Sequence, residues 1–401
     1  MLQPAAKQRI WFLILLSASH GVVDLNNGGV VALLPVLRNH FSLNYTLVAN
    51  IILIAQLTSS LTQPFFGYFS DRIKQRWFLM ASPLLAGLGI AILGFMPSYW
   101  WMIAAVILSS LGVAAFHPEG AHSAHNLGGE RRVGAMSIYT VGGNLGYALA
   151  PVYIGALIAL AGGIHGTAWA VLIPLALSLL VLRLLPSLQK TERRHAAHLN
   201  RQRADLPPTN WYGLTVVTIF TMLRSVIQLG IVTFIPFYWI DVLGHDSGSG
   251  PYVLFLYLMA GVAGTLLGAP LADRLGTKPL VVASWILLIG FQALILYTKG
   301  ALLLAALAGA GFLVVATSTI TLVMSQDYAP RQPGLASGLN LGFAFGSGGL
   351  GAVALGVVAD HYGVPAVLWT LAALTPVALL FAAILPRTQG IVVPAGPDLL
   401  E

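Results

Sequence analysis

The chain of 401 residues contains no cysteine, which excludes disulfides, thiolate metal sites and thiol chemistry. Charge is scarce as well. Only 8% of residues are Asp, Glu, Lys or Arg, against 57% hydrophobic, whereas a soluble domain carries about a quarter charged residues. That pool is too small to cover a water-facing surface. A Walker-type phosphate loop is missing, which argues against ATP-driven work. No nucleophile–base pattern rises above chance, so the chain is not read as an enzyme, and no cofactor is expected. Strand-like alternation is absent too, which disfavours a membrane β-barrel.

What is present is a series of apolar runs, each about 20 residues long and able to span a bilayer as a helix. Twelve spans are expected near 11–37, 46–69, 77–96, 99–118, 133–158, 165–185, 211–240, 251–271, 278–298, 301–325, 334–358 and 364–385. The fold class is therefore an all-α membrane protein. Residues 1–185 form an N-terminal six-helix bundle, 186–210 a polar linker and 211–401 a C-terminal bundle. The start of the chain has the look of a signal peptide. Its apolar run continues to Leu37, too long for a signal core, and is read as helix 1.

The net charge of +7 does not point to nucleic acid, because the basic residues sit in short loops between apolar runs. With both termini on the cytoplasmic side, the inner segments hold seventeen of the 20 Lys and Arg residues. The outer loops hold only Arg38 and Lys299, and Arg224 lies within a span. This asymmetry is what orients helices in a cytoplasmic membrane.

The halves repeat. Asp71-Arg72 pairs with Asp273-Arg274, while Gly134, Ser137, Gly142 and Gly146 pair with Gly334, Ser337, Gly342 and Gly346 at an offset near 200. Trp11 and Trp211 open corresponding helices, and Pro35 and Pro236 close them. Parallel halves with a binding site at mid-membrane are a transporter arrangement.

Several stretches resemble the major facilitator superfamily. Gly67-Tyr-Phe-Ser-Asp71-Arg72-Ile-Lys74-Gln-Arg76 is similar to its signature loop between helices 2 and 3, although Lys74 stands where glycine is usual. Asp273-Arg274-Leu-Gly276-Thr-Lys278 repeats it between helices 8 and 9. Ser19-His20 with Asp24, Gln63-Pro64, Phe116-His117-Pro118-Glu119-Gly120, Arg224-Ser225, Phe234-Ile235-Pro236 and Gly334-Leu-Ala-Ser337-Gly338 resemble the fosmidomycin-resistance branch. The resemblance implies proton-driven export of drug-like molecules by a monomer. The helix 5 glycines are spaced like the superfamily's antiporter motif, without its usual glycine–proline pair.

A charge inside a span costs at least a few kcal/mol at the bilayer centre, so it marks a functional candidate. Asp24 and His20, four residues apart on one helix face, and His117 and Glu119 at the expected break of helix 4 are candidates for proton coupling. Asp24 is read as the main carrier and Glu119 as a second one near the cytoplasmic mouth. A fixed Asp24–Arg224 pair that only joins the halves is the structural alternative. The run His117, Glu119, His122, His125 also has the composition of a metal site, but the loop is loose and no metal is expected; His122 and His125 read as solvated beyond a break at Pro118. Candidate substrate contacts are Arg224, Asn144, Gln228, Asn340 and Tyr139. Gly67, Asp71, Arg72, Asp273 and Arg274 are candidates for a cytoplasmic gate. The leading function is proton-coupled export of a small anionic or amphiphilic compound. Proton-coupled uptake of a sugar or organic acid is the alternative in the same fold, and a membrane enzyme or receptor the alternative outside it.

Overall fold

A backbone in lipid must satisfy its hydrogen bonds internally, and the apolar runs do so as helices. The computed structural model describes residues 4–72, 77–128, 132–196 and 207–387, and no strand occurs among them. The long helices are α1 (Pro4–Phe41), α2 (Tyr45–Arg72), α3 (Trp77–Leu93), α4 (Tyr99–Gly128), α5 (Arg132–Ala161), α6 (Leu172–Ala196), α7 (Trp211–Phe237), α8 (Gly250–Leu275), α9 (Thr277–Tyr297), α10 (Gly300–Tyr328), α11 (Pro333–Tyr362) and α12 (Val364–Ile384). Ten helices among the described residues are long and apolar enough to cross a membrane, and α3 is a shorter apolar helix. α1 is not among the ten; its centre carries His20, Asp24, Asn26 and Asn27.

Two boundaries differ most from expectation. α4 does not break at Pro118 but continues through it to Gly128. A proline inside a helix removes one N–H and crowds the preceding turn. Here the turn is held by the imidazole of His117, bonded to the Val113 carbonyl at 2.8 Å. Glu119 is consequently a fully buried residue of a continuous helix rather than a group at an open mouth, and His122 and His125 are half-buried on the same helix. α6 begins with a 3-10 turn, Ile164–Val171, and runs to Ala196, eleven residues into the expected linker. Leu185 and Leu188 explain the extension, since both are buried. The rest of the linker charge, Arg201, Arg203 and Asp205, lies outside the described residues.

Within the first half α1 packs along α5, and α3 and α2 pack on α4; within the second, α8 packs on α10 and α7 on α11 and α12. Two extensive pairings join the halves, α2 with α11 and α5 with α8, and α1 also touches α7. The apolar core is correspondingly uneven. One cluster takes in the second half together with Val30–Leu37, Leu43–Ala55 and Met102–Val106 of the first. A separate cluster, with Phe12, Leu16, Leu79, Val113, Phe116 and Leu188, belongs to the first half alone. The halves thus share a core at the end carrying the α1–α2 turn, and the first half keeps its own core at the end carrying the α2–α3 connection.

Candidate functional site

The α1–α5 crossing sets the site. α1 lies so close to α5 that a Cβ on Gly142 would meet the Ser17 carbonyl, and one on Gly146 the Gly21 carbonyl. Gly143, between them, faces the polar side of α1. A Cβ there would collide with the His20 ring and come within 2.7 Å of the Asp24 carboxylate. The helix 5 glycines therefore serve packing and also leave room for charged side chains.

His20, Asp24 and His117 meet in that space. His20 Nε2 is 3.2 Å from Asp24 Oδ2, His117 Nε2 is 3.5 Å from Asp24 Oδ1, and the two Nε2 atoms are 3.3 Å apart. Each Nδ1 lies 2.8 Å from a backbone carbonyl, of Tyr139 for His20 and of Val113 for His117. Carbonyls only accept, so both Nδ1 atoms carry hydrogen. In the neutral rings both Nε2 lone pairs then face each other and the carboxylate. A positive occupant, such as a proton shared by the three groups, would satisfy that arrangement. The three groups also have the donor set of a metal site, their ligand-type atoms lying within 4.8 Å of one another. This triad, and not the run of His117, Glu119, His122 and His125, is the cluster of that kind among the described residues. Tyr139 stacks on His20 with ring centroids 4.1 Å apart and is buried; it supports the triad rather than facing an open space.

Arg224 sits at the centre of α7, only 5% exposed. Its Nη1 donates to Gln228 Oε1, one turn on, at 2.6 Å, and its Nε has no hydrogen-bond partner. No carboxylate among the described residues forms an ion pair with it. The direct Asp24–Arg224 pair is absent here, because Asp24 is held by the two histidines. Tyr257 of α8 was not singled out by the sequence. It is fully buried, its hydroxyl has no partner, and it lies within electrostatic reach of Arg224 and of Tyr147. A lone tyrosine in an apolar run gives no periodic signal; only the fold brings it to the guanidinium.

The remaining candidates divide. Asn144 donates across the halves to Thr265 Oγ1 at 3.2 Å. Asn340 donates to Thr221 Oγ1 at 3.1 Å and is buried, so it ties α11 to α7. Gly67 lies on α2 opposite Pro118. Asp273 and Arg274 are exposed at the end of α8, where Gly276 turns the chain with φ of 85°, a conformation glycine adopts without strain. Asp71 and Arg72 are the last residues of α2, and their side chains fall outside the described ones. Lys74, in place of the first copy's glycine, does too.

Comparison with known proteins agrees with this architecture. The profile of the Major Facilitator Superfamily matches residues 16–339 and, in an overlapping second match, 249–395. The chain is 31% identical to the Uncharacterized MFS-type transporter YfnC of Bacillus subtilis (strain 168), over 94% of this chain and 93% of that one. It is also 31% identical to the Fosmidomycin resistance protein of Escherichia coli (strain K12), over 88% of each. Among solved structures, a bacterial homolog to the human lysosomal transporter Spinster, in an inward-facing and occupied conformation, superposes with a TM-score of 0.71 at 13% identity. That match covers 97% of this chain and 98% of that one. The chain belongs to the Major Facilitator Superfamily.

Proposed function

We propose that this protein is a proton-coupled secondary transporter that exports small, anionic or amphiphilic drug-like compounds by alternating access. In this reading twelve transmembrane helices form two pseudo-symmetric bundles, residues 1–185 and 211–401, joined through 186–210. The chain acts as a monomer in the cytoplasmic membrane with both termini inside. The observation that carries the substrate class is Arg224. A buried guanidinium with a free Nε and no carboxylate partner among the described residues is costly inside a membrane, and an anionic group of a substrate compensates it. Gln228 orients the guanidinium, and Tyr257 offers a further hydroxyl. The name of the Escherichia coli relative supports a drug-like substrate.

Coupling is assigned to the triad. The carboxylate of Asp24 with a shared proton is stable between two imidazoles, and loss of that proton leaves a charge that needs a new partner. Glu119, buried nearby on α4, is the second carrier. Asp71, Arg72, Asp273 and Arg274 gate the cytoplasmic side. The deciding experiment is flux in proteoliposomes under an imposed pH gradient, with a panel of anionic and neutral compounds. Uphill movement against the proton flow supports antiport. Movement with the proton flow makes the chain an importer, and no flux with any compound removes the transporter reading.

A further inference from the structure

We infer that two carboxylates of the second half, Asp241 and Asp360, form a latch that closes the outer end, and that they are positioning residues for the transport cycle. The inference rests on the alternating-access reading. α1 ends at Phe41, and Ser42 with φ of 52° folds the chain straight into α2. That tight turn presents two features at the α1–α2 end: the side chain of Arg38 and the free N–H groups that begin α2. Both are taken up by the other half. Arg38 Nη1 donates to Asp241 Oδ2 at 2.9 Å, and the Tyr45 hydroxyl donates to the same oxygen at 2.8 Å. The Arg38 guanidinium also lies 4.2 Å from the centre of the Tyr45 ring, a cation–π contact.

Asp360, near the end of α11, caps α2 from across the interface. Its Oδ1 accepts from the Tyr45 N–H at 2.8 Å. Its Oδ2 accepts from the Thr46 N–H at 3.0 Å and from the Thr46 hydroxyl at 2.6 Å. The next N–H, of Leu47, goes to Asn44 within the chain's own turn at 2.8 Å. A helix N-terminus carries unsatisfied donors and a partial positive charge, and a capping carboxylate answers both. The usual cap is a neighbour in sequence; this one is supplied by the opposite half, so it exists only while the halves touch.

The face of α11 below the latch shows where the contact stops. Gly356, Gly349 and Gly342 recur every seven residues on that face. A Cβ on Gly356 would lie 2.9 Å from Thr46 of α2, and one on Gly349 3.0 Å from Leu53. At Gly342 nothing lies within 4 Å. α2 and α11 are thus joined under the latch and part toward the other end, which matches the division of the apolar core. Opening the outer end requires breaking the Asp241 and Asp360 contacts together.

The test uses the absence of cysteine. Leu53→Cys places a single thiol between α2 and α11 beneath the latch. Its labelling by a membrane-impermeant maleimide in right-side-out vesicles reads opening on the outer side without knowledge of the substrate. Asp360→Ala is expected to raise the labelling rate about fivefold, as loss of a helix cap shifts an equilibrium. Asp360→Asn keeps an acceptor for the N–H groups and stays near the parental rate. Arg38→Asp and Asp241→Arg each raise the rate, and the two combined return it toward the parent. A parental rate in Asp360→Ala, or a swapped pair that labels as fast as either single variant, overturns the latch. Flux reports separately: this labelling pattern without flux of any compound keeps the latch and removes the transporter reading, whereas flux with unchanged labelling removes the latch.

Discussion

At the scale of single residues, Asp24 and Arg224 were both legible as charges in apolar runs, because the cost of such a charge makes it conspicuous. Their partners were legible only in part. His20 was placed beside Asp24 by its spacing, but His117, 93 positions beyond Asp24, reaches it only through the α1–α4 packing. Tyr257 had no sequence signal at all. Two outcomes follow from the observed partners. Asp24→Asn removes the anion that holds the two imidazoles, so it is expected to abolish pH-driven export while substrate binding persists. Full proton-driven export in that variant would move the carrier elsewhere, with Glu119→Gln as the next test. Arg224→Ala removes the charge proposed to meet an anionic substrate. A hydrogen bond to a charged group contributes about 1.5–3 kcal/mol, so affinity for anionic compounds should fall about 10- to 100-fold. Neutral compounds should be little affected, and equal losses for both classes would assign Arg224 to structure alone. Binding to the purified protein separates these cases.

At the scale of helices, type and order were readable from the length of each apolar run, while the ends were set by contacts the sequence does not display. α4 passes through Pro118, and α6 overruns its expected end because Leu185 and Leu188 have a core to join. The repeat was equally plain in sequence but does not imply equal contacts. Gly146 and Gly346 are counterparts, yet a Cβ on Gly146 would strike the Gly21 backbone, while nothing lies within 4 Å of one on Gly346. Alanine favours a helix over glycine by about 1 kcal/mol. Forcing a methyl into a packed crossing costs about 1–3 kcal/mol or more, and a backbone contact cannot rotate away. Gly146→Ala should therefore lower the melting temperature of the detergent-solubilised protein, and Gly346→Ala should hold or raise it. Gly143→Ala should leave the fold nearer to normal than Gly146→Ala, because it meets side chains, but should impair coupling by displacing His20 and Asp24. Equal melting temperatures for the Gly146 and Gly346 variants would mean that the α1–α5 crossing relaxes freely.

At the scale of the whole molecule, the repeat and the charge bias were enough to expect two halves around a central site, but not to say where the halves touch. That depends on complementary partners far apart in the chain, such as Arg38 with Asp241 or the α2 N-terminus with Asp360, none of which forms a local pattern. The joined end lies opposite the signature loops, so the two ends should control one equilibrium from opposite sides. Contacts made by Asp71 at the end of α2 and by Asp273 and Arg274 at the end of α8 would favour the state in which the cytoplasmic side is closed; the latch favours the state in which the outer side is closed. Asp71→Asn should then slow flux in proteoliposomes while leaving expression and folding near normal, because it weakens one closed state without touching the triad or Arg224. It should also lower labelling of the Leu53→Cys reporter from outside, the opposite of the change expected for Asp360→Ala. The double variant Asp71→Asn with Asp360→Ala, weakened at both ends, should label at a rate between those of the two single variants. Wild-type flux together with unchanged labelling in Asp71→Asn would confine the signature loop to topology and insertion, and would leave the outer latch as the gate supported by contacts between the halves.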